Sequence, residues 1–167
     1  MKNSVKDFFL CATVLWMLMI FIMSAQPADD STKTSLFVGE AIASIVVPGY
    51  QHWNEDDRLI LAERIDHPVR KAAHFTEYSV LGVLVSGTLC GFSKASLEKN
   101  ITTAYILGTL YAVTDELHQL FVPGRSGQLS DVLIDSAGVF LGCVMVYVFK
   151  KIIMPKSTGS SYASRCI

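Results

Sequence analysis

The sequence lacks the marks of most soluble enzymes. It has no CxxC spacing, and its four cysteines, Cys11, Cys90, Cys143 and Cys166, are scattered. Three of them fall inside or at the end of apolar runs, so neither a disulfide frame nor a zinc knuckle is suggested. There is no Walker loop, no GxGxxG stretch and no serine or cysteine nucleophile motif. Basic charge is also lacking. The formal net charge is -1, whereas a nucleic-acid partner calls for a basic patch, so none is expected. No internal repeat is visible, which sets solenoid architectures aside.

What the chain does have is long apolar runs separated by polar segments. Its 167 residues make about one domain, and 51% of them are hydrophobic. The runs cover Val5 to Met23, Ala72 to Phe92, Ile101 to Phe121 and Val132 to Phe149. At about 1.5 Å per residue, each can cross a hydrocarbon core of about 30 Å, the fourth with little to spare. The first run, behind Lys2 and Lys6 and followed by Ser24 and Ala25, could serve as a signal peptide. Its length and the three runs after it favour a membrane helix that ends near Pro27. Gly82, Gly87, Gly108, Gly138 and Gly142 lie within the runs. Gly138 and Gly142 form GVFLG, a small-xxx-small face suited to close helix contact.

Asp29 to Asp66 is polar and net acidic. Within it Phe37, Ala41 and Ile45, and Val38, Ile42 and Val46, recur every four residues. This spacing predicts a short amphipathic helix closed by Pro48-Gly49. Asn54 ahead of Asp57 predicts the cap of a second short helix toward Asp66, and Pro68 is a good first-turn residue for the second run. The expected fold is all-α: a polytopic membrane protein of four transmembrane helices, with a helical extracytoplasmic segment between the first and second. Lysine and arginine set the orientation. With the N-terminus inside, inner segments carry 8 of the 14 and outer segments 6. Both termini are then cytoplasmic. The transmembrane domain takes residues 1–150, and 151–167 form a cytoplasmic tail expected to be disordered.

In this topology the polar residues of three runs meet at the outer end. His74, Glu77 and Tyr78 share one face of the second run, and Asp115, His118 and Gln119 repeat that spacing on the third. Asp131 and Asp135 are four apart on the fourth. Charged groups beside lipid are costly and call for partners or a function. Glu77, Asp115, Glu116, Asp131 and Asp135 outnumber Arg125, Arg70 and Lys71. Arg70 and Lys71 are expected at the interface, where their stems let them reach away. Either some acids hold protons, or a cation from outside, a divalent ion included, completes the site. Arg125 in PGRSG can grip a phosphate or carboxylate with two parallel bonds, or it can pair with Asp115 or Glu116 and staple the hairpin.

RKAAHFTEYSVLG (Arg70 to Gly82) and DELHQLFVPGRSGQLSDVLIDSAGVFLG (Asp115 to Gly142) resemble the two signatures of the VanZ-like membrane proteins, and SAQP (Ser24 to Pro27) resembles a third element. The resemblance runs from the first helix to the fourth. His74 and Tyr78 match its helix two; Asp115, Glu116 and Gln119 its helix three; Pro123, Gly124, Arg125 and Ser126 its turn; and Asp131 its helix four. Asp135 departs from the pattern, where asparagine is more common. The resemblance implies a multi-pass protein of the bacterial plasma membrane, linked to resistance to teicoplanin-type glycopeptides. It names no reaction and no resident cofactor. Three functions stay open: a cell-envelope protein that binds an amphiphile or alters access of lipid-bearing antibiotics; an enzyme acting on a lipid-linked phosphate or sugar; and a proton- or cation-coupled carrier, which four spans would serve best as an oligomer. The candidate site is His74, Glu77, Tyr78, Asp115, Glu116, Gln119, Arg125, Ser126, Asp131 and Asp135. Its expected partners are membrane lipids and an amphiphilic or lipid-linked ligand.

Overall fold

A computed structural model describes residues 3–153, and they fold into helices with no strand among them. The expected tail lies outside the described residues, except for 151–153, which complete a π-helical turn. Five α-helices follow one another: α1 (Asn3–Ser24), α2 (Ala28–Val46), α3 (Glu55–Phe92), α4 (Leu97–Gln119) and α5 (Leu129–Val148). Among the described residues three helices are long and apolar enough to cross a membrane: α1, α3, and α5 with the turn that continues it. The expected third span falls on α4, whose 23 residues are long enough but are diluted by Asp115, Glu116, His118 and Gln119 in its last turns.

The bundle is small-cored and apolar outside. Ile20, Tyr78, Leu81, Val85, Ala104, Ala112, Val139 and Cys143 form the buried cluster. Leu15 (66% exposed) and Ile22 (62%) on α1 and Phe140 (58%) on α5 point outward. In water such a surface would be an aggregation liability; in lipid it is the expected exterior.

The α3–α5 pair is the most extensive helix contact. It depends on the predicted GVFLG face. A Cβ at Gly138 would overlap the carbonyl of Phe75, and one at Gly142 that of Ser79. From the other side Gly82 receives the carbonyl of Val139. Close approach of two backbones requires glycine at these points. α1 is tied to the pair by Trp16 Nε1, which donates to the Glu77 carbonyl at 2.9 Å, and by the Thr13–Thr88 hydroxyl contact at 2.9 Å. Tyr111 of α4 donates to the Met17 carbonyl at 2.7 Å.

Two expectations about the polar segment change. Asn54 does cap a helix, accepting from the Asp57 amide at 2.7 Å. That helix does not stop near Asp66, however; it runs unbroken through Pro68 to Phe92. An interior proline costs about 3 kcal/mol in an isolated helix. Here α2 braces both sides of it. Ser35 donates to Asp66, Arg70 donates to Thr32 Oγ1 at 3.2 Å, and Ile65 packs on Gly39. The 38 residues of α3 span about 57 Å, longer than an apolar core of about 30 Å, and α2 packs along its first half.

The amphipathic helix is present as α2 and begins earlier than its apolar repeat, directly after Pro27. The chain turns after it at Gly49, whose φ of 75° favours glycine. Its buried face is the small one, Ser35, Gly39 and Ala43. The apolar stripe of Phe37 (73% exposed), Ile45 (85%) and Val46 faces away from the other helices.

Candidate functional site

The polar residues converge where α1 ends, α4 ends, α5 begins and α3 passes its midpoint. The last turns of α4 bury Asp115, Glu116 and Gln119. Gln119 Nε2 donates to Asp115 Oδ2 at 3.3 Å and to Glu116 Oε1 at 3.2 Å. Ser24, the last residue of α1, donates to Asp115 Oδ2 at 2.8 Å. The backbone amide of Gln128 donates to Glu116 Oε2 at 2.9 Å. That amide opens α5, so Glu116 fixes the start of one helix from the end of another.

Arg125 makes no carboxylate staple. Its Nη1 donates to Gln119 Oε1 at 3.2 Å, its Nε to the Gln26 carbonyl at 2.9 Å and its Nη2 to the Met23 carbonyl at 3.4 Å. The guanidinium takes the Gln119 amide oxygen and backbone carbonyls at the end of α1 in place of the pairing with Asp115 or Glu116 that the sequence left open. Burial, and then the nearby Arg70, push the guanidinium below its ordinary pKa, while Asp115, Glu116 and Glu77 pull it up. The group stays charged, since arginine does not lose its proton in proteins. The Ala28 amide donates to the Pro123 carbonyl at 3.2 Å. Gly124 in the same turn adopts φ 74° and lies against Ala28. SAQP and PGRS thus dock on one another.

Arg70 and Lys71 do not reach away. Lys71 Nζ lies 3.3 Å from Asp131 Oδ1, and Arg70 Nη1 lies 3.9 Å from Asp66 Oδ2. Asp131 sits in the first turn of α5, where Gln128 is the cap residue. His74 and Glu77 are half-buried on α3, Ser126 is exposed in the turn, and Tyr78 and Asp135 are fully buried. The Tyr78 hydroxyl, both oxygens of Asp135, Asp115 Oδ1 and His74 Nδ1 are buried with no hydrogen-bond partner. Tyr78 lies within electrostatic reach of both Asp115 and Asp135. So many orphaned polar atoms at one place are unusual in a folded core. His118 instead stacks on Phe21, ring centroids 4.5 Å apart. Among the described residues no group of three or more His, Cys, Asp or Glu converges as a metal would require.

Two cavities of about 110 Å³ each flank His74 and Arg125. One, lined mainly by polar side chains, lies toward Lys71, Ser126 and Asp131. The other lies toward α2, between Met23, Val38, Val69 and Ala73, with Glu77 at its wall. Of the ten candidate residues, the structure groups Asp115, Glu116, Gln119 and Arg125 by direct bonds, and His74, Glu77, Ser126 and Asp131 around the cavities. Tyr78 and Asp135 sit beneath them in the core. Ser24, Gln26 and Lys71 were not among the candidates. SAQP carried the signal for the first two; nothing in the local sequence pairs Lys71 with Asp131.

An all-α bundle with an apolar exterior and a polar cluster at one end defines a membrane protein. The VanZ/LLP1 family model matches residues 9–150, and the chain belongs to that family. Neither the curated proteins nor the solved structures contain a match to it.

Proposed function

We propose that the chain is a multi-pass protein of the bacterial plasma membrane that lowers susceptibility to teicoplanin-type lipoglycopeptides through an outward-facing polar site. The observation that carries the site is the docking of SAQP on PGRS over the buried acids of α4. Three separate stretches of sequence are brought to one place, beside two cavities. Family membership supports the resistance reading. The test is expression in a glycopeptide-sensitive Gram-positive host. Tolerance to teicoplanin should rise more than tolerance to vancomycin; unchanged susceptibility despite confirmed membrane expression would overturn the reading.

The topology in this reading has four spans and both termini in the cytoplasm. α4 counts as a span because it returns from the far end of α3, at Phe92, to the start of α5 beside Lys71. Its 23 residues reach about 34 Å. In a cysteine-free background, Ser126→Cys should label from outside intact cells and Lys94→Cys should not. The opposite pattern would invert the topology, and labelling at both would remove α4 as a span.

A second reading, catalysis on a lipid-linked phosphate or sugar, is favoured by one observation. Glu77 and His74, a carboxyl and an imidazole, line the same cavity as the Arg125 guanidinium.

A further inference from the structure

We infer that the cavity between Arg70, Lys71, His74 and Arg125 holds a phosphate group carried on an apolar chain, with that chain lying in the adjoining groove between α2 and α3. This names the ligand class of the polar site and rests on the reading of that cluster as functional.

The charge distribution is the first argument. In the polar cavity, cationic side chains outnumber carboxylates. Asp115 and Glu116 do not line it; they are bonded to Ser24, Gln119 and the Gln128 amide. The polar cavity is lined by Arg70, Lys71, Arg125, His67 and His74, with Asp131 as its one carboxylate. Asp131 is already engaged by Lys71. Arg70 pairs loosely with Asp66 at 3.9 Å and gives one bond to Thr32 Oγ1 at 3.2 Å, both from Nη1, so its other donors remain. Arg125 spends three bonds, all on neutral oxygens. A guanidinium carries five N–H donors in a fixed fork, so donors remain on it. A cationic, half-buried cavity with spare forked donors fits a phosphate and disfavours a cation or a neutral sugar.

The second argument is the shape. The two cavities share Arg70, His74 and Arg125. The second continues past Met23, Val69 and Ala73 to Val38. Val38 stands on α2 beside the outward apolar stripe of Phe37 and Ile42. A free anion would fill the polar cavity alone. A phosphate with an attached chain uses both, its chain passing between α2 and α3 toward the lipid that this stripe faces.

The test uses the full chain purified in a neutral detergent, with dihexanoyl phosphatidic acid, dihexanoyl phosphatidylcholine and inorganic phosphate as probes. Binding is read by native mass spectrometry and by the shift in melting temperature. Phosphatidic acid should bind at least about tenfold more tightly than either other probe. Lys71→Gln should weaken it by about tenfold with little change in the unliganded melting temperature, and Arg70→Gln should weaken it as much while also lowering that temperature through the lost bond to Thr32. Lys94→Gln, at the opposite end, should bind as the parent does. Equal binding of the two lipids would overturn the proposal, as would equal loss in Lys94→Gln, which would mean unspecific charge attraction. Inorganic phosphate binding as tightly as phosphatidic acid would overturn the assignment of the apolar groove. No antibiotic enters the experiment. Failure here with resistance retained removes the ligand class alone, and binding here without resistance removes the resistance reading alone.

Discussion

Gly142→Leu should yield little or no folded protein. Gly142 faces the carbonyl of Ser79 across the α3–α5 contact, and even a Cβ there overlaps it. The clash is with backbone, which has no rotamer to escape into. Overpacking a flexible core costs about 1–3 kcal/mol, and a rigid helix crossing costs more. The surrounding helices cannot compensate, because Gly138 makes the same approach to Phe75 one turn away and Gly82 makes it from the other side. Gly142→Ala should lower the melting temperature measurably and Gly142→Leu should leave mostly aggregate on size exclusion. Phe140→Leu, on the outward face of the same helix, should behave as the parent does. A monodisperse Gly142→Leu protein with the parent melting temperature would refute the α3–α5 packing.

Arg125→Ala is expected to have the second largest effect, on both stability and phenotype. The side chain joins the α4–α5 turn to the end of α1 through three bonds. Its loss frees the carbonyl of Gln26, leaves that of Met23 with the Gln26 amide alone and leaves Gln119 Oε1 short of a donor. Bonds from a charged donor contribute about 1.5–3 kcal/mol each and do not add simply, so a total loss on the order of 3 kcal/mol is expected. Arg125→Lys keeps the charge but cannot span three acceptors, so it should recover only part of the stability. The measurement is the melting temperature of purified protein beside teicoplanin tolerance of the expressing host. Full stability in Arg125→Ala would show that the turn does not hang on α1.

These two positions mark what could be read from the chain. GVFLG was legible because a small-xxx-small spacing reports a surface that must lie against another backbone. The Asn54 cap was legible because a cap is a local bond, three residues long. The polar face of each helix followed from its spacing. The partners of those faces did not, because helical period says nothing of what lies across the gap. Ser24 meets Asp115 from 91 positions away, and Arg125 meets Gln26 from 99. The extent of α3 was misread for a related reason. Pro68 ends helices on local grounds, and the bonds that hold it inside one come from α2. The outward apolar stripe of α2 was visible as a stripe; which way it faced was set by Ser35, Gly39 and Ala43, residues small enough for α2 to settle on α3.

Asp131→Asn tests the central claim, that the polar end of the bundle is a site and not a staple. Asp131 has one ion-pair partner, Lys71, and both side chains keep about a third of their surface exposed. Pairs of this kind contribute at most about 1 kcal/mol, so the substitution should shift the melting temperature by less than about 3 °C. Asparagine keeps the shape and removes the charge beside Lys71 and the cationic cavity. Membrane level, melting temperature and teicoplanin tolerance are to be measured on the same Asp131→Asn protein. The expected result is a parent-like level and melting temperature with tolerance lost. Full tolerance in well-expressed Asp131→Asn protein, or a loss of tolerance that only follows a fall in melting temperature, would contradict the claim and leave the cluster as the joint that holds α1, α4 and α5 together.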